Sequence, residues 1–484
     1  MRSQSARVLF RSYDTLRDAK THKSHPFNFW STRRMKTTHV ALFSMALALA
    51  IASSAAAQNE SQVVMPTSAE MTAFGYNEYY APQSGHYGTD QASDASQAQA
   101  AAPEAAEEEK PTCRWCRCGK LAEPWTLPQP NVLKEHNVTV GGWLEGGIYA
   151  NQWGSPSNGP LGFRNVGDGF TADQLWIFAE RKTDTKGCGW DFGGRVDYVF
   201  GADGPDTQAF GDHTWDYGWN SARDYGSAIP QAYAEVAYNK LKVKGGRFYT
   251  LIGYEVVPAP QNFFYSHSYA MYYAEPFTHT GVLGQYDYND KVTLYGGWVN
   301  GWDEGWDGAN KGSQFLGGAS LKLSEKATLA WMLTAGSIGD GTAFPGAANG
   351  DVYMNSIVFT WALSEKLTYV FQHDLGTNYD NGNSDNQWYS ISNYLMYKMS
   401  DCLSFGGRIE WFQDPQGARV IAGNEGNYYE ATTGFNWKPH SNITIRPELR
   451  YDWYNGSIGP NGAPFAGGTR DTQLSGGTDF IFTY

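Results

Sequence analysis

From about residue 137 to the end of the chain, apolar and polar residues alternate with a period of two. That spacing sends successive side chains to opposite faces of a strand. Ile443, Ile445, Leu449, Tyr451 and Trp453 share one parity, with Thr444, Arg446, Glu448, Arg450 and Asp452 on the other. Leu403, Phe405, Ile409 and Trp411 alternate with Ser404, Arg408 and Glu410, and Trp190, Phe192, Val196 and Tyr198 with Asp191, Arg195 and Asp197. A soluble sandwich has little use for a row of Arg, Glu, Arg and Asp facing its core. A wall that is apolar toward lipid and charged toward water needs both faces. The pattern therefore predicts an all-β chain forming a transmembrane, antiparallel, up-and-down β-barrel.

Turn chemistry supplies the strand number. Short polar turns fall at Asp184-Thr185-Lys186, Asn239-Lys240, Asn289-Asp290, Ser324-Glu325, Ser364-Glu365, Ser400-Asp401 and His440-Ser441. Leu323-Ser324-Glu325-Lys326-Ala327-Thr328 and Leu363-Ser364-Glu365-Lys366-Leu367-Thr368 are near-repeats, the mark of a repeated hairpin rather than a repeated domain. Between the turns lie longer Gly-, Asn-, Asp- and Trp-rich segments, at about 151–170, 201–228, 251–278, 301–312, 336–351, 376–386, 413–426 and 455–471. Seven turns and eight loops join sixteen strands and leave both chain ends of the barrel on the short-turn side, the periplasmic side in outer-membrane barrels.

The upstream sequence differs. Arg33-Arg34, Met35-Lys36, the apolar run Val40 to Ala52 and Ala55-Ala56-Ala57 compose an export signal, with Met35 an alternative start, so residues 1–57 are set apart from the fold. Residues 58–130 have neither strand period nor heptads and contain an Ala/Gln/Glu tract; they are expected to form a periplasmic linker dispensable for pore formation, with the barrel at 131–484. Aromatics reach 15% and charged residues only 18%, and no stretch after residue 57 has the ~18 to 20 continuous apolar residues of a membrane helix. The 36 basic and 49 acidic residues fall to 27 and 47 without residues 1–57, a formal charge of −20 that disfavours nucleic acid as a partner.

The last segment places Leu474, Phe480, Phe482 and Tyr484 on one parity and ends on an aromatic residue. It resembles the closing-strand signal read by the barrel assembly machinery. Residues 138–484 resemble the second of the families named as putative outer-membrane β-barrel porins. The resemblance is carried by Gly141-Gly142-Trp143-Leu144, Phe192-Gly193-Gly194-Arg195-Val196-Asp197, Gln231-Ala232-Tyr233-Ala234-Glu235-Val236, and Gly245-Gly246-Arg247-Phe248-Tyr249 followed by Gly253-Tyr254-Glu255. It implies a porin fold and a transport role in the bacterial outer membrane. It brings no substrate and no catalytic residue.

The segment Leu251 to Thr278 is the candidate for a loop folded into the pore. Its Glu255 and Glu275, facing Arg247 and Arg195, are expected to set a transverse field across a constriction. Strict alternation from Leu241 and Val243 sends Arg247 to the lipid, so it reaches the lumen only if a bulge forms at Gly245-Gly246. Asp197, Glu235, Arg408, Glu410, Arg446, Glu448, Arg450 and Asp452 are expected to line the path with Arg195 in cross-strand ladders. Trp215, Trp219, Tyr225, Trp302 and Trp306 suit either sugar stacking or an aromatic girdle, the girdle being the simpler reading. Gly317-Gly318 and Gly406-Gly407 are read as bends in the wall.

Cys113, Cys116 and Cys118 lack the fourth ligand of a zinc site, so a disulfide is expected, without a readable pairing; Cys188 or Cys402 is placed to tether the extension. Neither metal nor cofactor is expected. Ser266-His267-Ser268 is the one local Ser/His cluster and keeps an outer-membrane hydrolase as an alternative; the aromatic loops keep a surface adhesion or carbohydrate-binding protein as another. The leading expectation is a porin for passive diffusion of small hydrophilic solutes and ions, with mild cation preference. Its partners are outer-membrane lipid, the assembly machinery and, by analogy of fold, two further copies in a homotrimer.

Overall fold

The computed structural model describes residues 121–484 apart from 168, 210–214, 217, 220–223, 307–310, 340–349 and 381–385. The expected export signal and residues 58–120 of the linker lie outside the described residues.

Sixteen strands follow one another along the chain: β1 (Thr139–Asn151), β2 (Phe170–Arg181), β3 (Trp190–Gly201), β4 in two pieces (Gly226–Ala228 and Ala232–Tyr238), β5 (Leu241–Tyr249), β6 (Thr278–Asn289), β7 (Val292–Val299) and β8 (Ser313–Ser324). The second half continues with β9 (Ala327–Gly339), β10 (Gly350–Ala362), β11 (Leu367–Asp380), β12 (Asn386–Ser400), β13 (Leu403–Asp414), β14 (Glu425–His440), β15 (Ile443–Ser457) and β16 (Thr472–Thr483). Each pairs antiparallel with its sequence neighbours, and β1 pairs with β16 from Trp143↔Thr483 to Asn151↔Ser475. Closure removes both sheet edges, which a wall in hydrocarbon requires. No described helix is long and apolar enough to cross a membrane.

The seven turns and eight loops fall where the alternation breaks. In the two near-repeat hairpins the serine is the working residue: Ser324 Oγ accepts the Lys326 N–H at 3.2 Å and Ser364 Oγ accepts those of Lys366 and Leu367 at 3.2 and 3.1 Å. A hydroxyl that binds the backbone two residues on shapes the turn, hence the recurrence of the hexapeptide.

The two parities separate as the sequence requires. Leu449, Ile409, Phe192 and Trp190 are exposed on the outside, whereas Arg408, Arg446, Arg450, Asp197, Glu410 and Asp452 are buried inside. Toward the short-turn end the outer wall carries Trp190, Tyr238, Tyr286, Tyr288, Tyr397 and Trp437, with the rings of Trp190 and Tyr238 tilted against each other at 4.5 Å across β3 and β4. Such amphipathic rings settle at the headgroup level.

Departures from the regular wall are local. β4 breaks at 229–231, and its pairing with β5 stops at Ala232↔Arg247. Register through Gly245 and Gly246 is continuous with both neighbours, so the bulge that would turn Arg247 inward does not form. Gly406 marks a close approach as well as a wall position: a Cβ there would lie 2.4 Å from the ring of Phe263. Cys402 is disulfide-bonded and Cys188 is a free, exposed thiol, so these two do not bond to each other.

Leu449 sits on the lipid face near the middle of β15, where a cation has no water to reach. Leu449→Arg is expected to destabilise the barrel folded into phosphatidylcholine vesicles by about 2–4 kcal/mol in a urea titration, with Asn461→Arg, in an external loop, near zero.

Candidate functional site

The segment between β5 and β6 turns into the barrel, and the charged wall grips its backbone. Arg446 Nη1 donates to three carbonyls of one bend, Ala259 O at 2.9 Å, Asn262 O at 2.8 Å and Phe264 O at 3.0 Å. Arg408 Nη1 donates to Ser266 O at 2.9 Å and Arg450 Nη1 to His267 O at 2.6 Å. Wall carboxylates take the complementary amides: Glu448 accepts from Tyr265 N at 2.8 Å and Ser266 N at 3.2 Å, and Glu410 from Tyr269 N at 2.6 Å and Ala270 N at 2.7 Å. Alternate residues of β13 and β15 thus supply cations for carbonyls and anions for N–H groups. A loop buried away from water must satisfy every backbone group in some such way.

Strands to either side of these complete the grip. Gln174 of β2 donates to Val257 O at 2.8 Å and accepts from Ala259 N at 3.1 Å, Gln372 of β11 accepts from Tyr254 N at 3.1 Å, and Trp388 of β12 donates to Ala274 O at 3.2 Å. Tyr265 and Tyr269 send their hydroxyls to Asp173 and Asp452, both at 2.8 Å. Tyr269, Ala270 and Ala274 pack in one apolar cluster with Phe248, Leu283, Leu316, Met332, Met354, Phe412 and Tyr428 of the surrounding strands. At the height of the loop the lumen is therefore closely packed.

Glu255 and Glu275 lie in this loop, with partners other than the expected Arg247 and Arg195. Glu255 forms an ion pair with Arg408 at 2.6 Å and accepts the Ser268 N–H at 2.7 Å. Burial works to raise its carboxyl, but Arg408, followed by His267 and that N–H, holds it below the usual carboxylate range. Glu275 accepts from Gln372. Burial first, then Asp374 and Glu255, pushes it well above that range. Gly253, at φ +89°, leaves this carboxylate its place: a Cβ there would meet Glu275 Oε2 at 1.8 Å.

Arg247 corrects the expectation most plainly. It keeps the outward parity yet is fully buried, because the loop between β3 and β4 covers it with Asp216 at 3.2 Å and Thr207 O at 3.0 Å, and Thr278 Oγ1 lies at 3.1 Å. It belongs to the rim and not to the constriction.

Nearer the short turns, Arg195 pairs with Asp197 at 2.7 Å and Glu180 at 3.3 Å, and Glu235 accepts from Thr183. Arg195 and Glu180 keep 18% and 17% of their side-chain exposure, so this ladder, unlike that of β13 and β15, meets water. On β13 and β14 Arg408 also holds Glu430 at 2.6 Å; on β15 Arg450 holds Asp452 at 2.8 Å, and Arg446 pairs with Asp479 and with Glu145 at 3.1 Å.

Sequence reasoning missed Glu145, Glu430 and Asp479, which lie on β1, β14 and β16, where it assigned no residue to the lumen. It also missed Arg164, which reaches in from the loop after β1 to Asp173 at 2.7 Å and Asp203 at 2.5 Å; a loop arginine carries no periodic signal.

The Ser266-His267-Ser268 cluster does not assemble as a nucleophile and base. His267 Nε2 donates to Val256 O at 3.1 Å, Ser266 Oγ accepts from Arg408, and Ser268 Oγ accepts from Met271 N. Burial lowers the imidazole to about 4, against the pull of Glu255. Of the loop aromatics, Trp302 is buried against Trp388 and Trp215 lies 5.8 Å from Trp306, leaving Trp219 and Trp306 exposed.

A closed antiparallel barrel of sixteen strands, apolar outside, charged within and entered by the loop after its fifth strand, is an outer-membrane barrel of the porin class. The chain belongs to the family described as Putative beta-barrel porin-2, OmpL-like, whose model matches residues 137–484, and it resides in the bacterial outer membrane. Among solved structures, the anion-selective porin from Comamonas acidovorans is similar at a TM-score of 0.51 and 10% identity, with 72% of this chain and 99% of that one covered. The outer membrane channel DcaP of Acinetobacter baumannii gives 0.48 and 11% over 72% and 97%, and the trimer form of OmpT, an outer membrane protein of Vibrio cholerae, 0.47 and 12% over 72% and 99%. No curated protein sequence matches the chain.

Arg408 tests the grip on the loop. Arg408→Ala strands Glu255 and Glu430 in the interior and is expected to cost about 3–5 kcal/mol, read as a lowered midpoint of heat-modifiability. Arg408→Lys restores charge without the planar fork and is expected to recover only part of the loss.

Proposed function

We propose that this barrel is a channel, without catalytic chemistry of its own, through which small hydrophilic solutes and ions diffuse passively with mild preference for cations. The observation that carries the preference is the balance of charge around the loop. There Arg164, Arg408, Arg446 and Arg450 are set among Glu145, Asp173, Asp203, Glu255, Glu410, Glu430, Glu448, Asp452 and Asp479. Carboxylates in excess at the narrowest height lower the energy of a cation there, and low-dielectric walls focus that field. The chain's overall charge matters less, since groups beyond a Debye length of about 8 Å are screened. Arg195 with three carboxylates, Asp197, Glu235 and Glu180, carries the same acidic excess into the stretch on the periplasmic side.

Packing of the loop favours a narrow route over a wide bore. Two exposed tryptophans, Trp219 and Trp306, support at most weak saccharide preference. A homotrimer fits the class, and the trimer form of the Vibrio cholerae protein supports it by analogy of fold alone.

Planar-bilayer recording of the full-length protein across a salt gradient is expected to show discrete conductance steps and a zero-current potential of cation-preferring sign. Glu255→Gln removes one of the two anions of Arg408, leaving Glu430, and is expected to move that potential toward anions; Glu275→Gln adds little, because its carboxyl is already held toward the neutral form. An unchanged potential in the double variant removes the loop from the constriction, and an absence of steps ends the channel reading.

A further inference from the structure

β16 reaches Tyr484, whose N–H and carbonyl pair with Gly142 at 2.9 and 3.0 Å, while β1 begins at Thr139. The next groups of β1 that point toward β16 are the N–H and carbonyl of Val140, one step beyond the Gly142–Tyr484 pair. Left bare at the rim, that step is an open sheet edge.

Both groups are occupied by one side chain from upstream. Val140 N donates to Gln129 Oε1 at 3.0 Å and Gln129 Nε2 donates to Val140 O at 2.7 Å, so the carboxamide does for this step of the ladder what a peptide unit does elsewhere in it. On the other flank of the terminal strand the device is reversed. Asn442, in the turn between β14 and β15, accepts the Trp125 N–H at 2.8 Å and donates to Trp125 O at 2.6 Å and to Thr483 O at 2.7 Å. The Trp125 ring stacks on Phe482 at 6.4 Å, and Ser441 Oγ donates to Ala122 O.

We propose that residues 125–129 are a strap that docks on the barrel's own seam, continuing the ladder one step beyond the Gly142–Tyr484 pair and closing that edge to pairing with another strand. The strap belongs to the segment counted with the linker on sequence grounds. It fixes the chain upstream of the barrel at the periplasmic rim, beside β16.

Amide hydrogen exchange on the full-length protein in detergent tests this directly. Gln129→Ala lies outside the barrel, so the heat-modifiable band reports intact folding. It is expected to speed exchange at Val140 about ten-fold while Gly142, paired with Tyr484, stays protected. Trp125→Ala is expected to speed tryptic cleavage after Lys120 and Lys134 by a similar factor. Val140 exchanging in the native protein as fast as in Gln129→Ala, or cleavage unchanged by Trp125→Ala, would overturn the strap. Neither readout depends on conduction, so each stands whether or not the channel reading holds.

Discussion

The arrangement rests on one kind of contact, the hydrogen bond between a charged lumen side chain and the backbone of the loop folded against it. A loop has no ladder partner of its own, and inside a barrel it also loses water. Each N–H and carbonyl left bare would cost about 1–3 kcal/mol. The wall supplies Arg446, Arg408 and Arg450 for the carbonyls and Glu448 and Glu410 for the amides, and charge-assisted bonds of this sort are roughly twice as strong as neutral ones.

Charges used this way must themselves be neutralised, which explains the density of ion pairs behind the loop. Arg408 has Glu255 and Glu430, Arg446 has Asp479 and Glu145, and Arg450 has Asp452. A buried pair of this type is weak evidence of stability, since desolvation offsets most of its attraction, but losing one partner is expensive. The network therefore selects one seating of the loop more than it strengthens the barrel. The same network leaves carboxylates in excess, and in the proposed channel the groups that position the loop are also those that set the sign of the field.

At the periplasmic rim the constraint is the same and the groups are neutral. The carboxamides of Gln129 and Asn442 imitate peptide units, each able to donate and accept in one plane. They bring the upstream segment against β1 and β16. At the opposite rim Arg247 answers a comparable gap between β4 and β5 with Asp216 and Thr207. Interrupted pairing is closed by whichever polar side chain can reach it.

Strand number, the turns and the outward or inward parity of most wall residues were legible in the sequence, because a period of two is a local property that lipid on one side and polar surroundings on the other impose at every step. Arg408, Glu410, Arg446, Glu448, Arg450 and Asp452 were found by it. Their partners were not: Glu255 was matched with Arg247 and Arg195, yet it meets Arg408, which stands 153 residues further along the chain. Parity says which face a residue takes, but not which strand a loop will lean on. Arg247 failed for a related reason, since a loop covers a position that alternation alone gives to lipid. Arg164, Gln129 and Asn442 carry no periodic mark at all. Their roles exist only once closure of the barrel has brought loop, turn and chain end together, and that closure is a property of the tertiary structure.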